Sequence, residues 1–347
     1  MCLQLMLHIN ETNAVDYLRQ REQVPAAGEI EVRSLGGGIS NTVLLIEWPD
    51  DSFILKQPLE QLRGQEKWHI HPRRVFNERD AMQFANQLLP PGHVPAVRFS
   101  DEENFVITMS RADRRSVSWK QQLLTGQVDL SVAESAGSLL ALLHNRAAGS
   151  ESLKKQLGDQ QILIEARVDP YFRTASRRHP DLKPIINDEI ERLLATALTL
   201  VHGDYSPKNL LVGPDQKLVI IDFEIAHYGD PAFDVAFCLA LMILGAVRFR
   251  RQTVQQLAAV KAMWNAYVRN IQILSRPQIE ATTILQLGCT LLARIDGKSK
   301  IEYINDEPTR DLVRSLSRDI LQQQWSSIED ILIAVRERVG LSGGSLP

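Results

Sequence analysis

Asp204, Asn209 and Asp222 have the residue types and spacing for phosphoryl transfer. Asp204 follows His202-Gly203, Asn209 comes five residues later, and Asp222 ends an apolar run. A carboxylate in such a loop can orient a hydroxyl and take its proton late, because the phosphoryl transition state is loose. Asn209 offers magnesium a neutral oxygen and Asp222 a charged one, and Glu224 could add another; magnesium takes a few carboxylates with phosphate oxygens and water. Lys208 either contacts the transferred phosphoryl group or faces solvent. His202 is expected to orient the loop, and Asp234 to accept hydrogen bonds from its backbone. Residues 209–212 and 217–221 read as strands around a Gly-Pro-Asp turn, which would hold these groups in place.

Upstream, residues 30–35 and 42–48 read as strands flanking Gly36-Gly37-Gly38. Glycines between strands let backbone N–H groups approach phosphates, so Gly37, Gly38, Ser40 and Asn41 are nucleotide-binding candidates. Residues 42–57 read as a hairpin around Pro49-Asp50-Asp51, with Lys56 in its second strand. Residues 72–89 carry apolar side chains at helical spacing and stop before Pro90. Glu78 on that helix could pair with Lys56 and fix it against the α- and β-phosphates. Residues 97–99 and 105–109 add two short strands, and 110–116 read as a polar linker. From Trp119 onward the pattern is mostly helical. Ser131 and Glu134 form a capping box opening a helix through about His144, itself read as a packed histidine. Further helices are expected over 188–198, 231–247, 254–270, 279–294, 309–325 and 326–339.

Bulk properties narrow the partners. The chain has 347 residues, a formal net charge of −3 and no long basic run, which argues against nucleic acid. Cys2, Cys238 and Cys289 are scattered, without a CxxC pair, which argues against a disulfide framework or zinc site and fits a reducing cytoplasm. The N-terminus makes a poor signal peptide, and the apolar run 235–247 is too short to span a bilayer, so no membrane is expected.

These motifs resemble those of the aminoglycoside phosphotransferase/choline kinase superfamily over about residues 33–303. The resemblance implies an α+β, two-lobed protein-kinase-like fold: a small, mainly antiparallel β N-lobe at 1–109, a hinge at 110–116 and a larger, mostly helical C-lobe at 117–340; the Gly/Ser-rich end, 341–347, reads as a flexible tail. It implies Mg2+ and ATP as cofactors, Lys56 and Glu78 as an ion pair, Asp204 as base, and Asn209 and Asp222 as metal ligands. Ser110–Ala112 would be the hinge meeting adenine through backbone groups. Within the superfamily, the run from Lys56 through Trp68 to Glu78, the Asp222-Phe223-Glu224 motif, its continuation through Ala226–Gly229 to Phe233-Asp234, and Thr290–Arg294 look most similar to methylthioribose kinases. That group carries twin arginines where this chain has Ala293-Arg294, and the loop ending Pro207-Lys208-Asn209 looks like the wider superfamily.

The acceptor is expected to be a small molecule with a hydroxyl. Residues 251–347 are nearly balanced in charge, which suits a neutral polyol or an anionic metabolite better than a polycation. Arg294 and Asp296 are candidates to line its site; the alternative is a helix C-terminus capped at Gly297. Aminoglycoside, choline and homoserine remain alternative acceptors, as does a non-catalytic nucleotide-binding scaffold. A dinucleotide oxidoreductase fares poorly, because its glycine motif belongs between strand and helix. A homodimer is left open.

Overall fold

The computed structural model describes residues 6–36, 40–59 and 70–341; Gly37, Gly38, Trp68 and residues 342–347 lie outside the described residues. Five strands form an antiparallel sheet: β1 (Glu31–Ser34), β2 (Asn41–Trp48), β3 (Asp51–Pro58), β4 (Val97–Asp101) and β5 (Val106–Ser110), in the order β1-β2-β3-β5-β4. The β2–β3 hairpin pairs Thr42 with Gln57 and Trp48 with Asp51. Successive strand side chains face opposite ways. Leu44, Ile46, Phe53 and Leu55 therefore share one face, packed against Tyr17 and Leu18 of helix α1 (Ala14–Gln20). Lys56 leaves β3 on the other face, toward α2 (Arg74–Leu88), which carries Glu78. The strand alternation that builds the core thus also aims the lysine.

The remainder is a mostly helical body, so the α+β, two-lobed expectation holds. Its helices are α3 (Trp119–Leu124), α4 (Leu130–Ala147), α5 (Glu151–Leu157), α6 (Gln161–Leu163), α7 (Thr174–Arg178), α8 (Lys183–Ala195), α9 (Pro231–Arg248), α10 (Thr253–Asn270), α11 (Arg276–Asp296), α12 (Glu307–Gln322) and α13 (Ile328–Arg338). A π-helical segment, Ile164–Arg173, joins α6 to α7 and contains Pro170. Helices α4 and α10 touch backbone to backbone at Gly137, where a Cβ would lie 2.2 Å from the Met263 carbonyl oxygen. Two small sheets set the loops: β7 (Thr199–Val201) pairs with a strand at His227–Gly229, and β8 (Leu210–Val212) lies between β6 (Val117–Ser118) and β9 (Leu218–Ile220). We label His227–Gly229 β10.

Three expectations change. The α4 cap is Asp129, whose side chain accepts from the Ser131 amide at 2.8 Å, so Ser131 lies inside the first turn and is not the cap. Helix α8 starts at Lys183, with Pro184 in its first turn, where a missing N–H costs nothing. Helix α9 is longer than its apolar run. At 18 residues and mean hydropathy 1.8 it is long and apolar enough to cross a bilayer by length and composition alone, yet 89% of it is buried in the protein. It is apolar all round because it is surrounded.

Candidate active site

The loop between β7 and β8 is tied down from beneath by α9. Asp234 accepts from the amides of His202 (2.7 Å) and Gly203 (2.9 Å), and His144 Nε2 lies 3.3 Å from the same carboxylate. The His202 ring accepts the Asp204 amide on Nδ1 (3.1 Å) and donates from Nε2 to the Ile221 carbonyl (3.1 Å). That pattern needs a neutral imidazole, and burial lowers the His202 pKa below its ordinary value. Gly203 has φ 78°, and a Cβ there would lie 2.4 Å from the Ile225 carbonyl oxygen, so only glycine fits.

These contacts present Asp204 to a cavity of about 460 Å³. Its Oδ1 lies 2.8 Å from Arg167 Nη2, and its Oδ2 accepts from Asn209 Nδ2 at 2.8 Å. The Asn209 amide nitrogen also donates to the Asp204 carbonyl at 3.0 Å, which leaves the amide oxygen as the atom that could serve a metal. Arg167 comes from the π-helical segment, is buried, and lies over the rings of Tyr171 and Phe237. Sequence reasoning missed it, because a lone arginine between helices carries no spacing signal.

Asp222 follows β9 with φ 70°, a left-handed conformation that costs a non-glycine residue about 1–3 kcal/mol. Its Oδ1 lies 2.5 Å from Lys56 Nζ, which also lies 2.6 Å from Glu78 Oε2. Burial opposes the Lys56 ammonium, but Asp222, Glu78 and Glu224 outweigh it and raise its pKa above the lysine range. Burial likewise opposes ionised Asp222, yet Lys56 and Lys208 hold its carboxyl below the usual range. For Glu78 burial wins, and its pKa is raised. Lys208 lines the cavity; there desolvation is outweighed by Asp222, Asp204 and Glu224, which raise its pKa.

Glu224 holds the strand end that follows the glycines. Ser40 Oγ donates to its Oε1 and Asn41 Nδ2 to its Oε2, both at 2.9 Å, and Arg74 Nε lies 3.2 Å away. Arg74 also donates to the carbonyls of Ser40 (2.5 Å) and Leu59 (3.0 Å). It stands one turn before Glu78 on the same helix face, the signal that could have found it. Oxygens of Glu78, Asp222 and Glu224 lie within 4.8 Å of one another, a donor set of the kind a hard divalent cation takes.

Three expected site residues, Asp296, Ser110 and Ala112, do not line this cavity. Asp296 follows Arg294 by two positions, a rotation of about 200° on a helix, so the two cannot share a face. Its carboxylate accepts from Arg314 (2.8 and 2.9 Å) and lies 2.9 Å from His179 Nε2, whereas Arg294 lines the cavity. Gly297 donates to the Ala293 carbonyl and ends α11. Ser110 has its amide bonded to the Ala96 carbonyl (2.8 Å) and its hydroxyl accepting from the Ala96 amide (2.9 Å), so the sheet has already used that N–H. Ser110 and Ala112 border a separate surface hollow with Asp51 and Arg98.

A family model described as the phosphotransferase enzyme family matches residues 31–268, more than half of the chain. A methylthioribose kinase of Bacillus cereus (strain G9842) is 23% identical, over 97% of this chain and 98% of its own length. Methylthioribose kinase 2 of Oryza sativa subsp. japonica is 24% identical, over 68% of this chain and 62% of its own. Among solved structures, an ethanolamine kinase of Plasmodium vivax aligns over 90% of this chain and 89% of its own, with TM-score 0.53 and 12% identity. A choline/ethanolamine kinase family protein of Mesorhizobium loti aligns over 93% and 99%, with TM-score 0.51 and 17% identity. These structures share the kinase-like fold. The chain belongs to the phosphotransferase enzyme family, whose reaction is phosphoryl transfer to a hydroxyl group.

Proposed function

We propose that the protein is a Mg-ATP-dependent small-molecule kinase that phosphorylates a hydroxyl of a compact, sugar-like metabolite, with methylthioribose as the first candidate. The observation that carries this reading is one cavity lined by Asp204, Lys208, Asp222 and Arg294. Lys56, held between Glu78 and Asp222, is the cation for the α- and β-phosphates of ATP. Asp222, Asn209 and Glu224 would hold magnesium, which when bound neutralises phosphate charge. Glu224 Oε1 accepts one described hydrogen bond, from Ser40 Oγ, and keeps a second lone pair that could serve the metal.

Asp204, fixed by Arg167 and Asn209, orients the acceptor hydroxyl and receives its proton as the new O–P bond forms and the bond from the γ-phosphorus to the bridging oxygen breaks, releasing ADP. The acceptor end of the cavity mixes apolar Leu241, Met242 and Ile301 with Arg294, Lys300 and a Lys120–Glu302 ion pair. That lining suits a hydroxylated molecule with an apolar part, and its Arg294 and Lys300 disfavour a cationic acceptor, so aminoglycosides and choline rank lower. The test is ADP release across methylthioribose, other pentoses, homoserine, choline, ethanolamine and aminoglycosides. Turnover on a sugar or similar hydroxylated metabolite supports the reading. Turnover confined to aminoglycosides or choline would overturn the acceptor assignment, and failure to bind Mg-ATP would overturn the kinase itself.

A further inference from the structure

Arg294 is a buried cation without a counter-ion among the described residues. It is 8% exposed, yet none of the described carboxylates forms an ion pair with it. Its Nη1 donates to neutral groups: the Tyr171 hydroxyl (3.0 Å), the Ser299 carbonyl (2.5 Å) and Ser299 Oγ (3.0 Å). Its Nε is buried with no hydrogen-bond partner. The neighbouring carboxylates are committed elsewhere, Glu302 to Lys120 and Asp296 to His179 and Arg314. A charge in this position is costly unless something neutralises it.

The surroundings add positive potential instead of cancelling it. The guanidiniums of Arg167 and Arg294 share the Tyr171 ring, at 5.3 and 5.6 Å from its centroid. Burial opposes ionisation of the Tyr171 phenol, but Arg294 and Arg167 outweigh it and lower its pKa. Arg167 spends its charge on Asp204, whereas Arg294 does not spend its own. Lys300, on the same wall, is exposed and also has no described ion-pair partner.

We propose that the acceptor carries an anionic group, a carboxylate or a phosphate ester, and that Arg294 binds it within the cavity while the acceptor hydroxyl meets Asp204. The inference rests on the kinase reading and replaces its first acceptor candidate: methylthioribose is a neutral sugar, so an anionic hydroxylated metabolite takes its place while the phosphoryl transfer stays the same. Nε is sealed from the cavity, but Nη2 forms no described hydrogen bond, so the guanidinium keeps a donor and its charge for an anionic oxygen, which a neutral polyol supplies less well.

The test titrates inorganic phosphate into the full chain saturated with Mg-AMP-PNP, so that the nucleotide's own phosphate subsites are filled. Wild type is expected to bind one phosphate, with Kd raised at least about tenfold in Arg294→Gln and partly restored in Arg294→Lys. Thermal melts check that both variants fold, and the lysine variant keeps the test valid should the glutamine variant not. The second arm compares D-glycerate with glycerol, a pair that differs by a carboxylate, as competitors of bound phosphate. Glycerate is expected to displace phosphate and glycerol is not. Equal phosphate affinity in wild type and the Arg294 variants, or no saturable phosphate binding, would overturn the proposal. If Mg-AMP-PNP does not bind, the kinase reading fails separately, and the wild-type-minus-variant difference on unloaded protein still reports on Arg294.

Discussion

Around Asp222 the charges come in pairs, whereas at Arg294 they do not. Lys56 sits between Glu78 and Asp222, Arg74 faces Glu224, and Arg167 faces Asp204. Arg294, lining the same cavity, bonds only neutral groups among the described residues. The paired end is a preorganised frame, in which these side chains, Lys208 apart, are fixed by opposite charges before any ligand arrives. The unpaired end keeps its electrostatic capacity for a ligand. The two ends should therefore respond in opposite ways when a charge is removed.

The largest effect is expected for Lys56→Met. It leaves Glu78 and Asp222 buried together without their cation and should cost about 3–5 kcal/mol of stability, read by denaturant unfolding. A loss near zero would show that the frame is not held by its charges. At the other end, Arg294→Met should change stability by less than about 1.5 kcal/mol, because the neutral hydrogen bonds it loses are offset by removing a lone buried charge. A loss matching that of Lys56→Met would erase the distinction between the ends.

His202 offers a pH test of the frame. Its folded pKa lies below the ordinary 6.5, so the folded state binds fewer protons than the unfolded one as pH falls. Its contribution is fully present above pH 6.5 and is lost as pH drops below that value toward the folded pKa. Glu78, with its pKa raised to about 7, contributes in the opposite direction over the same window, so the test compares the two proteins: between pH 8 and 5 the stability of His202→Gln relative to wild type should rise as pH falls. A variant-minus-wild-type difference that does not change with pH would remove His202 from the loop's support. His227, also buried with a lowered pKa, contributes in the same direction as His202 and is common to both proteins.

The paired end was the more legible in sequence. Asp204, Asn209 and Asp222 fall within one short stretch, and Lys56 and Glu78 are found by strand and helix periodicity. Their partners were harder to see. Arg74 is visible only once Glu78 is placed, and Arg167 reaches Asp204 from a Pro-containing π-helical segment whose register ordinary helical spacing does not predict. Asp129 took the α4 cap from Ser131 because a side chain one position before the first helical residue reaches the free amides better. Pairing Asp296 with Arg294 treated sequence neighbours as spatial neighbours, and the helix separates them. The Ser110 amide was illegible for a comparable reason: strand pairing uses it, and pairing partners are not visible in one strand alone.

The central claim is that Asp204 serves phosphoryl transfer and not nucleotide binding. It is tested most directly by measuring, for wild type and Asp204→Asn, both the Kd for Mg-AMP-PNP and kcat for ADP release with the best acceptor. The account predicts a Kd within about threefold of wild type and a kcat lower by about 10²–10⁴-fold. A variant that releases ADP at the wild-type rate would contradict it.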